Sequence, residues 1–419
     1  MKIKHGYMRR LAPTPEQTAA LDDQSHAARA VWNLLHDWST GHGRCLRPSV
    51  KDADNAIRQA RKEVPWLAVV PAQAAQAVLK TYRRAWTNFF EGRAGPPEYK
   101  SRARSRAVVD IPQGRSLAVK RLNRRWAQLW VPKVGTVRFR WTGPIPGVGR
   151  EPGRLTGARL VREAIGWHVV FRTEVVRADP APHPGPMVGI DRGVTVALAL
   201  SDGNDREHGP WMRPKEQERL LRLERAAARK WRAHMRGAPA SKRLSRTYDQ
   251  IAKLRARAKR RRTDWQHQTT TALANRYGVV VVEDLTIENM VRRPKPKPNP
   301  NRPGAFLKNR ARVKAGLNRS MLNEAHTATV TMLAYKLAER GGTLIRVPAR
   351  YTSQTCSQCG HRDPSFRKGI AFSCTSCGWI GHADTNAAIN IHAAGRVVYG
   401  LLSPAPRGDE ASRSNRRAA

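Results

Sequence analysis

Apolar positions along the first ninety residues recur at helical spacing. Val31, Leu34, Leu35 and Trp38 stand at i, i+3, i+4 and i+7. The segment opens at Thr14-Pro15-Glu16-Gln17, where Thr14 suits the cap, Pro15 the first helical position, and Gln17 completes a capping box. Gly41 and Gly43 end it. The pattern predicts a second helix over about 50–63 and a third from Pro71 through Val78, Tyr82, Trp86 and Phe90, closed by Gly95-Pro96-Pro97. The opening residues MKIKHGYM read as a short strand. From about 107 to 178 the texture changes to short apolar segments (Leu117–Val119, Leu129–Val131, Val137–Phe139, Trp167–Val170) punctuated by glycine, proline and charge, which reads as a small antiparallel sheet or barrel.

After a linker over Pro180 to Pro186, Val188-Gly189-Ile190-Asp191-Arg192-Gly193 and the run Val194 to Leu200 predict two strands joined at a turn. Two basic helices follow. One carries Leu220, Leu223, Ala227 and Trp231, the other Leu244, Tyr248, Ile251 and Leu254; they are broken at Gly237-Ala238-Pro239, and the second is expected to end in Lys259-Arg260-Arg261-Arg262. Val279 to Val282 is an unbroken β-branched run entering Glu283, the mark of a strand covered on both faces. Arg293 to Pro300 is a proline-rich loop. A helix with Val330, Leu333 and Leu337 on one face stops at Gly341-Gly342, and Leu344 to Val347 reads as one more strand. The tail after Leu402 is polar and basic, with no expected structure.

Charge narrows the function. Lys+Arg 77 against Asp+Glu 32 gives 77 − 32 = +45 on 419 residues. An excess of this size is costly through self-repulsion unless a polyanion neutralises it, which points to nucleic acid. The basic residues are spread along the chain rather than gathered in a tail, which disfavours a membrane surface. The N-terminus lacks the apolar stretch of a secretory signal and no window approaches a membrane span, so a soluble cytosolic protein is the expectation.

Five cysteines, with no export signal, argue against a disulfide framework. Cys45 stands alone as an ordinary thiol. Cys356-x-x-Cys359 and Cys374-x-x-Cys377, fourteen residues apart, form two knuckles able to present four thiolates to one zinc ion. Four cysteines fill that shell, so the site is structural. His361 and His382 are not needed as ligands. Three carboxylates are individually ambiguous. Asp191 can be a turn residue, Glu283 a solvated strand end, and Asp384 the cap of the helix after Asp384-Thr385-Asn386. Asp191 and Glu283 nevertheless both leave apolar strands of one expected α/β domain, where a shared sheet edge can bring them together. Clustered carboxylates with hard cations are a known arrangement for phosphodiester hydrolysis.

The strings VGIDRGV, VVVVEDL and TSQTCSQCG…CTSCGWIGHADTNAAINIH resemble the transposon-associated TnpB/OrfB nucleases and their relatives, the miniature type V CRISPR effectors. The likeness is most specific over 186–395, with a looser echo in QAVLKTYRRAWTNFFEGRAGPPEYKS. Ala383 departs from the charged residue often found before the family's last aspartate. The resemblance implies a multidomain α+β protein. Residues 1–10 and 105–180 would form an oligonucleotide-binding-like β-barrel (wedge), with a helical recognition region at 11–104. Residues 186–350 and 379–402 would form a RuvC (RNase H-like) nuclease domain, with the zinc ribbon at 351–378 and a disordered tail at 403–419. It also implies an RNA-guided DNA endonuclease of the prokaryotic cytosol. Asp191, Glu283 and Asp384 would be catalytic and hold two Mg²⁺; Cys356, Cys359, Cys374 and Cys377 would hold Zn²⁺. A guide RNA and a double-stranded target DNA with a short flanking motif would be the partners. Three rivals stay open: an RNA-guided repressor or transposition accessory protein without cleavage, a strand-joining transposase, and a basic RNA-packaging protein. The first would be favoured by a missing carboxylate. The second would need its own nucleophile constellation, and the third leaves the three carboxylate motifs unexplained.

Overall fold

The structure, a computed structural model, describes residues 1–41, 49–234, 238, 240–302 and 304–402. Cys45, Gly43, most of the Gly237-Ala238-Pro239 break and the tail after Leu402 lie outside the described residues. The chain is mixed α+β and divides into two compact units, Met1–Ala178 with His234–Ala256, and Asp179–Ala233 with the chain from Arg257 onward. No described helix is long and apolar enough to cross a membrane.

The first unit opens with β1 (Lys2–Ala12), followed by helices α1 (Pro15–Thr40), α2 (Val50–Glu63), α3 (Pro65–Ala68) and α4 (Ala72–Phe90), then β2 (Val108–Ile111), β3 (Val119–Arg121), β4 (Trp126–Val131), β5 (Gly135–Arg140), β6 (Arg154–Glu163) and β7 (Gly166–Val176). The capping box forms: Thr14 Oγ1 accepts from Gln17 N–H at 3.2 Å, and Gln17 Oε1 from Thr14 N–H at 3.1 Å. The buried stripe of α1 is Leu21, Ala28, Val31, Trp32 and Leu35, while Leu34 and Trp38 face outward. The seven strands make one antiparallel sheet in the order β2-β6-β7-β1-β5-β4-β3. β1 is longer than its sequence suggests because it pairs along β7 from Lys2 to Arg10 and then passes to β5 at Leu11.

The second unit holds β8 (Met187–Asp191), β9 (Ala199–Leu200), α5 (Pro214–Arg232), most of α6 (Lys242–Arg276), β10 (Val279–Glu283), α7 (Ile287–Met290), β11 (Lys297–Pro298), β12 (Phe306–Leu307), α8 (Ala311–Glu324), α9 (His326–Ala338), β13 (Thr343–Val347), β14 (Arg367–Lys368), β15 (Ala371–Ser373), β16 (Ile380–His382) and α10 (Ala383–Leu402). Three sequence expectations change. The run Val194 to Leu200 yields only β9, because the chain folds back at Gly193, where a Cβ would lie 2.5 Å from the Val196 carbonyl oxygen. The basic run 259–262 does not end its helix. Arg261 is held by Glu216 at 2.6 Å and Arg262 donates to the Asn323 carbonyl at 2.7 Å, so α6 continues to the buried Leu273. The proline-rich loop carries β11, which pairs with β12.

The central sheet runs β13-β10-β8-β9, with β13, β10 and β8 parallel and β9 antiparallel. Side chains alternate across a strand. Val188, Ile190, Val280 and Val282 therefore face Leu273 of α6, Tyr277 just beyond its end, and Val330, Leu333 and Leu337 of α9. Val279 and Val281 face Ile391 of α10 on the other side. That helix lies close because two glycines give it room. A Cβ on Gly189 would stand 2.3 Å from the Ala388 carbonyl oxygen, and one on Gly395 2.3 Å from Val281 Cγ2. Gly189→Ala should cost about 2 kcal/mol of stability through this collision with backbone; urea denaturation with an unchanged midpoint would contradict it.

Candidate functional site

The same alternation decides where the acids point. Register pairs Ile190 with Val282, so Asp191 and Glu283 leave neighbouring parallel strands at the same end. As odd-numbered positions they share the face of Gly189 and Val281, the face α10 covers. Asp384 lies in the first turn of α10, four residues before the Ala388 that meets Gly189. The three predicted carboxylates are thus brought together by two strand exits and one helix start. Glu283 and Asp384 are buried and Asp191 is half-buried.

Crowding shows in the electrostatics. Burial, then the charges of Glu283 and Asp384, push the Asp191 carboxyl up to about 7, against the lowering influence of Arg367. Burial likewise raises Glu283, opposed by its hydrogen bond from Thr352 and by the charges of Arg192 and Arg367. Thr352 Oγ1 donates to Glu283 Oε1 at 2.5 Å, Arg192 Nη2 to the Glu283 carbonyl at 2.5 Å, and Arg367 Nη2 to Asp384 Oδ1 at 2.8 Å. A desolvated carboxyl whose ionisation two neighbouring acids oppose suits a divalent cation, which reverses that penalty. Sequence reasoning missed Arg192, Thr352 and Arg367. Arg192 adjoins Asp191, and this was the one available signal; the other two come from distant chain.

The four cysteines meet in a small domain built on β14, β15 and β16, antiparallel to one another. None is disulfide-bonded. Each pair ends in a glycine of positive φ, Gly360 at 75° and Gly378 at 74°, which lets the chain turn back at each knuckle. Among the described residues these four sulfurs form a group able to hold a metal ion, all within 4.8 Å of one another. Cys356 to Cys377 and Cys359 to Cys374 are both 3.7 Å between sulfurs. A tetrahedron with bonds of about 2.3 Å has edges of about 3.8 Å, so the set fits zinc. His361 is exposed; His382 Nδ1 accepts from the Asp384 N–H at 3.3 Å. The domain is tied to α10 by Asn386, whose Oδ1 accepts from Ser357 N–H at 2.8 Å and whose Nδ2 donates to the Thr355 carbonyl at 2.7 Å. Asn390 Nδ2 adds bonds to the carbonyls of Thr352 at 2.9 Å and Thr355 at 2.7 Å.

InsQ of Escherichia coli (strain K12), a protein named for RNA-guided DNA endonuclease activity, is 33% identical over 404 residues, covering 95% of this chain and 94% of its own. The chain belongs to the TnpB/OrfB family. Family profiles agree: "Probable transposase" matches residues 170–293, "Cas12f1-like, TNB domain" 326–391, and "Helix-turn-helix domain" 1–37. The last span holds β1 and most of α1 in this structure. A second relative, from Streptomyces pristinaespiralis and also named for RNA-guided DNA endonuclease activity, is 29% identical over 94% of this chain and 90% of its own. Among solved structures, that of a Cas12f1–sgRNA–target DNA complex matches with a TM-score of 0.53 at 16% identity. It covers 90% of this chain and 83% of that one, a likeness of fold.

Proposed function

We propose that this TnpB/OrfB protein is an RNA-guided DNA endonuclease that hydrolyses double-stranded DNA at a single RuvC-type site formed by Asp191, Glu283 and Asp384. The observation that carries the reading is the meeting of these carboxylates at the exits of β8 and β10 and the start of α10. It stands in a family whose relatives are named as RNA-guided DNA endonucleases. The three carboxylates would hold two magnesium ions, which supply charge stabilisation and a water of lowered pKa when bound. The chain's own residues orient and neutralise. Thr352 fixes one oxygen of Glu283, and Arg192 ties down the strand end that carries it. Arg367 holds Asp384 and adds positive charge. The four cysteines would hold one structural zinc, which keeps the segment bearing Arg367 in place. Residues 186–350 and 379–402 make up the nuclease domain in this reading, and 351–378 the ribbon. The antiparallel sheet of 1–10 and 105–180, as a wedge barrel, and helices within 11–104 would hold guide and heteroduplex, which the +45 charge favours. The protein itself would read only a short flanking motif on the target.

Binding without cleavage is the competing reading, and it loses ground because all three carboxylates are present. The test is to sequence the RNA that copurifies, rewrite its guide segment, and offer plasmids bearing the new target beside randomised flanks. Cuts should follow the rewritten guide. Guide-directed binding with intact plasmid would establish the non-cutting alternative, and cutting without RNA would overturn guidance.

A further inference from the structure

The first unit gathers cations at a place that the carboxylate chemistry does not use. After Gly95-Pro96-Pro97 the chain returns along α1 and is clamped there. Trp32 Nε1 donates to the Glu98 carbonyl at 3.0 Å and Tyr99 Oη to Asp37 Oδ1 at 2.9 Å. Asn33 grips Lys100 from both sides, accepting from its N–H at 2.8 Å and donating to its carbonyl at 3.0 Å. The clamp lays Lys100 Nζ over the Trp32 ring, 3.2 Å from the centroid.

A cation on an indole face is attracted to it, but the charges around Lys100 are of its own sign. Burial, then Arg159 of β6 and Arg29 of α1, push its ammonium down to about 8. Burial, then Arg102, lower Arg29 as well, and the Arg29 Nε is buried without an acceptor. His26 is lowered by burial, Arg102 and Arg29, against Asp22 and Asp23. Among the described residues no carboxylate pairs with Arg29, Lys100 or Arg102. Of the nearby acids, Asp110 is engaged by Arg159 at 2.8 Å and Arg172 at 2.7 Å, and Asp22 by Arg162 at 2.5 Å. Arg102 and Arg159 are exposed, so the group opens to solvent. Cations held together against burial and mutual repulsion oppose folding by themselves. An anion seated among them turns the same arrangement into attraction.

We propose that Arg29, Lys100 and Arg102 form a binding site for a phosphodiester group of a nucleic-acid backbone, a refinement that rests on the guided-nuclease reading. Phosphate oxygens accept charge-assisted hydrogen bonds from guanidinium and ammonium donors. A phosphate held in this way fixes register along a strand and leaves the bases unread.

The experiment compares the full-length wild type with Lys100→Gln, Arg29→Gln and Lys100→Arg, using the copurifying guide RNA, a matching duplex DNA and inorganic phosphate as probes. The glutamine variants should lose about tenfold in affinity for RNA or for DNA. The slope of log affinity against log salt should flatten by about 0.7 for each phosphate no longer neutralised on a single strand, or about 0.9 on duplex. The thermal midpoint of the free glutamine variants should hold or rise, since repulsion is removed, and Lys100→Arg should keep most of the affinity. Loss on RNA alone assigns the phosphate to the guide and loss on DNA alone to the target, and either supports the site. Unchanged affinity and slope overturn it, even if inorganic phosphate binds. So does weakened binding with an unchanged slope and a lowered midpoint, which marks a structural role. A wild type that binds neither nucleic acid overturns the guided-nuclease reading instead.

Discussion

Asp191→Asn is expected to lower the rate of target cleavage by at least about a thousandfold, because several kcal/mol of transition-state stabilisation depend on the cations it would help hold. Binding of guide and target should stay near wild type, since the first unit and its charge are untouched. The substitution keeps side-chain size, so folding should survive. Stability should report the same residue from another side. The folded Asp191 carboxyl is raised from 3.8 to about 7 by burial, Glu283 and Asp384. A raised acid contributes most to stability below its unfolded pKa, and the contribution is lost as pH rises through the folded value. Metal-free wild type should therefore lose thermal stability between about pH 4 and pH 7, and magnesium should restore it at pH 8. Asp191→Asn should lack most of that slope. Thermal melts at pH 5 and pH 8, with and without magnesium, read this directly. Undiminished cleavage by the variant would remove Asp191 from the site.

Cys356→Ser should have the second large effect. Cys356 is buried and packs with Phe366 and Phe372 beneath the four sulfurs. Structural zinc contributes on the order of 10–16 kcal/mol to the folding of small domains, and these short strands have little other core. Loss of one ligand should drop bound zinc well below one per chain and raise amide exchange across 351–378. It should also free Arg367 from Asp384, so cleavage should fall although no carboxylate has changed. The core of β8, β10 and β13 with α6 and α9 should keep its protection, because its packing does not include the ribbon. Elemental analysis and hydrogen exchange give the readout. Full zinc content with normal exchange would refute a four-thiolate site.

Much of this was legible in the chain itself, and the reasons are local. A capping box joins residues three apart, so Thr14 and Gln17 announced the start of α1. Four consecutive valines announced a strand covered on both sides, and β10 is buried throughout. The cysteine knuckles are short-range motifs, and their spacing alone pointed to four sulfurs in one place. The carboxylates were different. Each looked like a cap or a strand end, and only family likeness joined them before the fold was known.

Their meeting rests on quantities that local sequence does not carry. These are the parallel register that sets Asp191 beside Glu283, the alternation that turns both toward α10, and the absence of side chains at Gly189 and Gly395 that lets the helix close in. The partners Arg192, Thr352 and Arg367 stood outside the sequence reading for the same reason. Arg367 is seventeen residues from Asp384 and Thr352 sixty-nine from Glu283. The strand predicted over Val194 to Leu200 and the early end assigned to α6 failed where tertiary packing, at Gly193 and at Glu216, outweighed local preference. Sequence alone determined most of the elements, the charge that calls for a polyanion partner and the grouping of the four cysteines, since propensity, charge and short spacings are written along the chain. The tertiary structure decided which acids come together and which cations crowd without a carboxylate among the described residues, since both depend on groups that only packing brings together.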